Sequence, residues 1–315
     1  MPKNSSATSL PIAELHALFG SRFQENVKLA YYVTARVGGL APGLLTVYSK
    51  DEIEHAVQNL ERLNVPFFFL GNGSNVLISD AGFQGVVIIN KARLVKIDVH
   101  TDPPTVWAES GANLSSIARQ TALRGLSGLE WAATIPGTVG GAIYGNAGAH
   151  GGDMCNSLVL AEILHPDRGR ETCSCEQLGL GYRTSFMKRS REQVVILAAQ
   201  MRLSVSTPAE VQARIDANIA QRQKTQPTGA SLGSMFKNPE GDSAGRLIEA
   251  AGLKGTRIGN AEISQKHANF FINLGDASAN DVYQLIRLAQ KKVREKFGIE
   301  LQLEIELLGD WPPED

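Results

Sequence analysis

The chain has 315 residues, 43% of them apolar and 20% charged, with a formal net charge of -1. That describes an ordinary globular protein of two or three domains and excludes a disordered low-complexity chain, while the near-neutral balance argues against nucleic-acid binding by phosphate neutralisation. No stretch approaches the ~18 apolar residues of a membrane span, and residues 1 to 30 lack the charged, apolar and small-residue order of a signal peptide, so the cytoplasm is the expected compartment.

In chain order, "DEIEHAVQNLERL" at 51 to 63 places Ile53, Ala56, Val57, Leu60 and Leu63 on one helical stripe. An apolar strand follows at 65 to 70 and runs into "GNGSNVL" at 71 to 77. Further strands are expected at 85 to 90, 94 to 100 and 105 to 110, then a helix with Leu114, Ile117, Ala118 and Leu123 turned inward. Residues 125 to 153 carry nine glycines interleaved with Leu129, Trp131, Ile135, Val139, Ile143 and Tyr144. A stretch that long without structure is uncommon in a compact domain unless it is functional.

A strand at 194 to 204 precedes Thr207-Pro208-Ala209-Glu210, which reads as a capping box opening a helix through about Arg222. A domain boundary is expected near 205, giving segments 20 to 90, 91 to 205 and 206 to 309. The helix at 277 to 298 has Ser278 to cap it, Asp281 in its first turn, a core stripe of Val282, Leu285, Ile286, Ala289, Val293 and Phe297, and Gly298 to end it. Residues 299 to 307, "IELQLEIEL", alternate strictly, as one strand with Glu300, Glu304 and Glu306 on a face expected to meet solvent.

Cys155, Cys173 and Cys175 are odd in number and include a C-x-C pair, so reduced thiols are expected. The six histidines lack metal-ligand spacing, and no metal is expected.

The turn at 71 to 76 is neither a G-x-G-x-x-G fingerprint, because Val76 stands at the third glycine's place, nor a Walker A loop, because no Gly-Lys-Ser/Thr follows. Its successive N–H groups, from Gly71 to Asn75, suit a concave anion nest. Two glycine-lined regions about seventy residues apart suit a dinucleotide with a central pyrophosphate and a planar ring system, and FAD fits better than a mononucleotide. Ser234, between Gly233 and Met235, is followed by the cation Lys237 and the two-way hydrogen-bonder Asn238, as an anionic substrate requires. Arg183, beside Tyr182, carries a planar fork that suits a carboxylate.

"TARVGG" (34 to 39), "GNGSNVL" (71 to 77), "GLEWAATIPGTVGGAIYGNAGA" (128 to 149), "GYRTSF" (181 to 186), "GSMFKNP" (233 to 239), "AGLKGTRIGNAEISQKHANFFIN" (251 to 273) and "LQLEIELLG" (301 to 309) stand in the order of one family. Together they resemble the UDP-N-acetylenolpyruvoylglucosamine reductases, flavoproteins that make UDP-N-acetylmuramate for the bacterial cell wall. The resemblance implies an α+β fold: an FAD-binding domain of the vanillyl-alcohol-oxidase type in two subdomains, then a smaller α+β substrate domain. It implies FAD and NADPH as cofactors and a UDP-sugar as substrate, with no nucleic-acid or membrane partner and a monomeric chain.

Position by position, it assigns Gly71, Asn72, Gly73, Ser74, Asn75 and Val76 to the pyrophosphate. Thr134, Ile135, Gly137, Gly140, Gly141 and Asn146 fall to the rest of the flavin site. It makes Arg183 a catalytic residue, Ser234 the proton donor and Glu304 the catalytic acid; the alternation alone does not select Glu304 over Glu300 and Glu306. Tyr182, Gln226, Lys237 and Asn238 match or adjoin substrate-holding positions. The implied reaction has NADPH reduce the flavin, then hydride pass to the methylene carbon of the enolpyruvyl group. Arg183 and a protonated Glu304 would stabilise the developing enolate, and Ser234 would protonate the adjacent carbon. Longer members carry an extra segment with a tyrosine that closes over the substrate. Residues 184 to 232 contain no tyrosine, so the chain resembles the shorter, type II-like form.

Three other readings compete. A different FAD oxidase of this fold has no reason to carry "GSMFKNP" or the glutamate strand. A nucleotide-binding module without redox activity has no use for Arg183, Ser234 and Glu304. A Rossmann dehydrogenase is disfavoured by the missing glycine.

Overall fold

The computed structural model describes residues 10–190 and 192–312. Residues 1–9, part of the stretch read for a leader, lie outside the described residues. Two compact units emerge, and neither is continuous in sequence. Among the described residues the first comprises 10–13, 46–71, 88–190 and 192–222, the second 14–45, 72–87 and 223–312. The three segments expected from sequence are consecutive, whereas the chain passes between the units inside the strands Leu40–Val47 and Val86–Asn90. The boundary expected near 205 also precedes the helix Pro208–Thr225, while the unit boundary falls at 222/223. Val211 and Ile215 of that helix are buried in the core of the first unit, which explains the difference.

The first unit is built on a five-stranded antiparallel sheet in the order Gly169–Cys173, Leu158–His165, Val195–Arg202, Thr105–Glu109, Val95–Asp98. Burial follows position. The apolar run of Val195–Arg202 makes a central strand, whereas Gly169–Cys173 and Val95–Asp98 alternate between half-buried and exposed residues, as edges do. The helix Lys50–Arg62, capped by Ser49, buries Ile53, Ala56, Val57 and Leu60 as its periodicity predicts. The helix Leu114–Ala122, capped by Asn113, buries Leu114, Ile117 and Ala118, but Leu123 is 73% exposed. The inward stripe continues instead through Thr121 and Ala122, and Leu123 is the C-cap, one position off that stripe.

Cys155 and Cys175 are joined by a disulfide with a Cα–Cα distance of 5.4 Å, and Cys173 is free. The expectation of three reduced thiols is thereby corrected. An odd count excludes full pairing but not one pair, and the turn after Gly169–Cys173 returns residue 175 to the helix Met154–Ser157.

In the second unit the helix Ala279–Phe297 carries a complete capping box, Ser278 with Asp281, and ends at Gly298 in the left-handed conformation (φ 70°). Its buried stripe, Val282, Leu285, Ile286, Ala289 and Val293, packs on the three-stranded sheet Arg257–Ile258, Ala261–Ile263, Phe271–Asn273. Phe23–Lys28 pairs antiparallel with Leu40–Val47. The expected strand at 299 to 307 is not one strand. Leu303 bridges Phe236, the chain bends at Glu304 and Ile305, and only Glu306–Leu308 pairs, in parallel, with Val76–Ile78. Its backbone changes partners midway: Glu304 N donates to Met235 O at 2.9 Å, and Glu306 N donates to Asn75 O at 2.9 Å. Glu300 is exposed beside Arg294 (3.4 Å), but Glu304 and Glu306 are half-buried, so the polar face is not uniformly solvated. Among the described residues no helix is long and apolar enough to cross a membrane.

Candidate active site

The glycine-rich stretch of the first unit is folded. A 3-10 turn, Glu130–Thr134, leads to the helix Val139–Tyr144, whose N-cap Thr138 accepts from Gly141 N at 3.3 Å. Val139 N and Gly140 N donate to Ala112 O (3.0 Å) and Ser110 O (2.8 Å), and Leu114 N donates to Gly137 O (3.1 Å). The donors of Gly140 and Gly141 are thus engaged within the protein, and a Cβ at Gly140 would stand 3.0 Å from Ser110 Cβ. Close packing accounts for Gly140 without a ligand, whereas a Cβ at Gly141 would meet only Thr138 Oγ1, at 3.5 Å. A Cβ at Gly71 would lie 2.6 Å from Thr138 Oγ1, so the end of the strand Phe67–Leu70 runs directly against this N-cap.

Ile135 N is likewise engaged, with Ala132 O at 3.0 Å. Thr134 Oγ1 differs: it is buried and has no hydrogen-bond partner. Around Gly137 only Ile135 Cγ2, at 3.6 Å, approaches a built Cβ, so the wall there is open. An unsatisfied hydroxyl beside open backbone fits a polar ligand such as FAD, since buried polar groups without partners are rare in a complete site.

Asn146, at φ 43°, donates from Nδ2 to Gly181 O (2.9 Å) and accepts at Oδ1 from Cys155 N (3.0 Å). Ser185, fully buried, donates to Tyr144 O at 2.7 Å. These bonds attach the Tyr182-Arg183 turn to the end of the glycine-rich stretch. The turn is closed by Gly181 N to Thr184 O (3.0 Å) and Thr184 N to Gly181 O (3.2 Å). Arg183 sits at φ 53°, a conformation that costs a side-chain-bearing residue ~1 to 2 kcal/mol, and is half-buried. Its Cζ lies 5.9 Å from the ring centroid of Tyr182, itself 59% exposed. A strained arginine beside an exposed aromatic suits a ligand more than a core.

In the second unit Gly73 adopts φ 61°, and a side chain there would collide with Tyr32 O. Gly73 O accepts from Thr34 N (3.0 Å), and Thr34 Oγ1 donates to Ser231 O (2.6 Å), so "TARVGG" braces this loop. Asn75 Nδ2 donates to Glu304 O at 3.2 Å, in addition to the bond its carbonyl accepts from Glu306 N. Ser234 is half-buried in a bridge with Phe270, and Met235 N donates to Asn269 O (2.9 Å). Lys237 N donates to Gln302 O at 2.8 Å. The structure therefore brings the segments bearing Asn75, Ser234, Lys237 and Glu304 together. Arg183 and Tyr182 belong to the first unit. Asn238, exposed, accepts at Oδ1 from Ala244 N (3.0 Å), and Gln226 lies at a half-buried bend just beyond Pro208–Thr225.

Sequence reasoning missed Asn269. It is 3% exposed, accepts from Phe236 N (3.0 Å) and donates to Phe236 O (2.8 Å), holding the backbone beside Ser234 as a strand partner would. Its signal was present in "QKHANFFIN", but a lone polar residue among phenylalanines does not reveal its partner.

The fold and this glycine-lined segment define a flavin-binding oxidoreductase: a family model described as an FAD binding domain matches residues 41–172. A second, the C-terminal domain of UDP-N-acetylenolpyruvoylglucosamine reductase, matches residues 223–308, beginning where the second unit resumes. Proteins of that name from Chloroflexus aggregans and Bacillus subtilis are 42% and 40% identical, each over 90% of this chain and over 96% and 93% of their own. The crystal structure of the Thermus caldophilus reductase superposes with a TM-score of 0.78 at 36% identity, covering 90% of this chain and 98% of the other. The chain belongs to the UDP-N-acetylenolpyruvoylglucosamine reductase family. The expected fold class, α+β with an FAD-binding domain of the vanillyl-alcohol-oxidase type, stands.

Proposed function

We propose that this chain reduces UDP-N-acetylglucosamine enolpyruvate to UDP-N-acetylmuramate, a precursor of peptidoglycan, with NADPH as the reductant. When bound, FAD would supply the hydride, received from NADPH, that goes to the methylene carbon of the enolpyruvyl group. Arg183 binds the substrate carboxylate with its fork and, with Glu304, stabilises the charge that spreads into it as hydride arrives. Ser234 gives its proton to the adjacent carbon. A serine is a weak acid in water, but the carbanion beside it is a strong base, which makes the transfer downhill at hydrogen-bond distance. Gly71 to Val76 cradle the flavin pyrophosphate, Thr134 to Asn146 line the rest of the flavin, and Tyr182, Gln226, Lys237 and Asn238 hold the sugar nucleotide. The protein acts in the cytoplasm as a monomer on this small molecule, without a membrane or nucleic-acid partner.

The observation that supports this assignment most is the backbone bond from Glu304 N to Met235 O, beside Ser234. The proton donor and the acid would then share one rigid frame. The test is an anaerobic stopped-flow trace in which the flavin is reduced with NADPH and the enolpyruvyl sugar nucleotide is added. Bleaching followed by return of the flavin band is expected; return only with air would remove the substrate assignment. Ser234→Ala should reduce normally but reoxidise about 10³-fold more slowly. Equal loss in both half-reactions would end the proton-donor role.

A further inference from the structure

The helix Pro208–Thr225 lays three polar side chains, Arg214, Asn218 and Arg222, along the 3-10 turn Glu130–Thr134, and their spacing of four residues puts them on one face. Arg214 Nε donates to the Glu130 carboxylate at 2.9 Å, so its charge is matched. Asn218 Nδ2 donates to Glu130 O at 3.1 Å. Arg222 Nη1 donates to Thr134 O at 2.5 Å. Among the described residues no carboxylate pairs with Arg222, which is half-buried. Burial alone pushes its guanidinium pKa below the ordinary value.

A carbonyl can hold a guanidinium but does not neutralise it, and one bond occupies one of five donors. If pinning the turn were the whole task, an uncharged amide would suffice, as Asn218 shows one turn earlier. The same residue that receives Arg222 on its carbonyl carries the buried, unsatisfied Thr134 hydroxyl. An uncompensated cation and an orphan donor at one residue are two independent marks of a missing anion.

We propose that Arg222 and the Thr134 hydroxyl form a diphosphate-binding subsite. The inference rests on the reading that the chain binds FAD and a UDP-sugar, each of which carries a diphosphate. Arginine's fork pairs bidentately with phosphate oxygens, and the threonine hydroxyl completes the set as a neutral donor. Arg214, tied to Glu130, is not part of it.

The test uses the full chain, stripped of flavin and titrated with FAD and with FMN, which lacks the diphosphate, and separately the flavin-loaded chain titrated with UDP. Arg222→Gln should weaken FAD or UDP by about 10- to 100-fold, the range for losing a charged hydrogen bond, and leave FMN unchanged. Loss confined to FAD identifies the flavin diphosphate, and loss confined to UDP identifies the sugar nucleotide's. Thr134→Val, which removes only the hydroxyl, should act in the same direction more weakly and serves if Arg222→Gln does not fold. Arg214→Gln should change none of the three. No change with Arg222→Gln, or an equal fall for FMN, overturns the subsite. A wild-type chain that binds neither FAD nor UDP sinks the flavin and sugar-nucleotide reading itself, and the subsite with it.

Discussion

The two glycine-rich regions look alike in sequence and differ in what they do with their polar groups. In the loop at 72 to 76, Gly73 O, Asn75 Nδ2 and the Asn75 main-chain carbonyl are bonded to other protein segments, Thr34, Glu304 and Glu306. At 130 to 146 the N–H groups of Gly140 and Gly141 are bonded inward, yet Thr134 Oγ1 has no partner. Glycine density therefore marks close backbone approach, and only the accounting of hydrogen bonds tells what approaches. In the first loop much of the approach is made by the protein's own C-terminal segment.

One substitution tried in both regions sharpens that contrast most. Gly73→Ala forces an alanine to φ 61° and against Tyr32 O, and should cost ~3 kcal/mol in thermal unfolding. Gly137→Ala meets only Ile135 Cγ2 at 3.6 Å and should change stability by less than ~1 kcal/mol. Comparable losses at the two sites would erase the distinction. Next in size is Asn75→Ala, which leaves Glu304 O without its side-chain donor and should cost ~1 to 3 kcal/mol. Flavin reoxidation by the sugar nucleotide should slow while FAD affinity holds, because the proposed pyrophosphate cradle of Gly71 to Val76 uses backbone N–H groups that the substitution keeps. A fall in FAD affinity with normal reoxidation would make the Asn75 side chain itself part of the cradle and not a brace.

The smallest effect concerns His267, whose ring Nδ1 accepts from Asn269 N at 3.2 Å next to the Ser234 frame. Burial, with the Lys254 charge acting in the same direction, holds its pKa below the ordinary histidine value against a weaker opposing pull from Glu249. The unfolded chain then binds the proton more readily, so this contribution is complete above about pH 6.5 and declines as pH falls through the lowered value. Thermal unfolding of the wild type should therefore shift down slightly between about pH 7 and about pH 5.5, and His267→Gln should flatten the shift. An unchanged slope in the variant would assign the dependence to other groups.

Elements whose signals are local were legible. Ser278, Asp281, Gly298 and the stripe between them lie within one helix's length, and the structure reproduces each. The strand read over 299 to 307 failed because its alternation says which residues face inward, not which backbone they pair with, and the pairing changes at Glu304. The Cys155–Cys175 disulfide was missed for a similar reason: 20 residues separate the two, and their meeting depends on how the intervening strands pair. Spacing did not separate Glu304 from Glu300, but position does, since Glu300 faces solvent beside Arg294 while Glu304 is half-buried on the Met235 backbone.

By itself the sequence determined the four longest helices among the described residues, the glycine turns, the family and hence the cofactor, because periodicity, capping and motif order are carried by residues close together along the chain. Only the tertiary structure decided that Asn75, Asn269 and Glu304 form one hydrogen-bonded frame around Ser234, and that Arg222 meets Thr134 without a counter-charge. Such facts depend on which polar groups find partners, and a partner hundreds of residues away leaves no local trace.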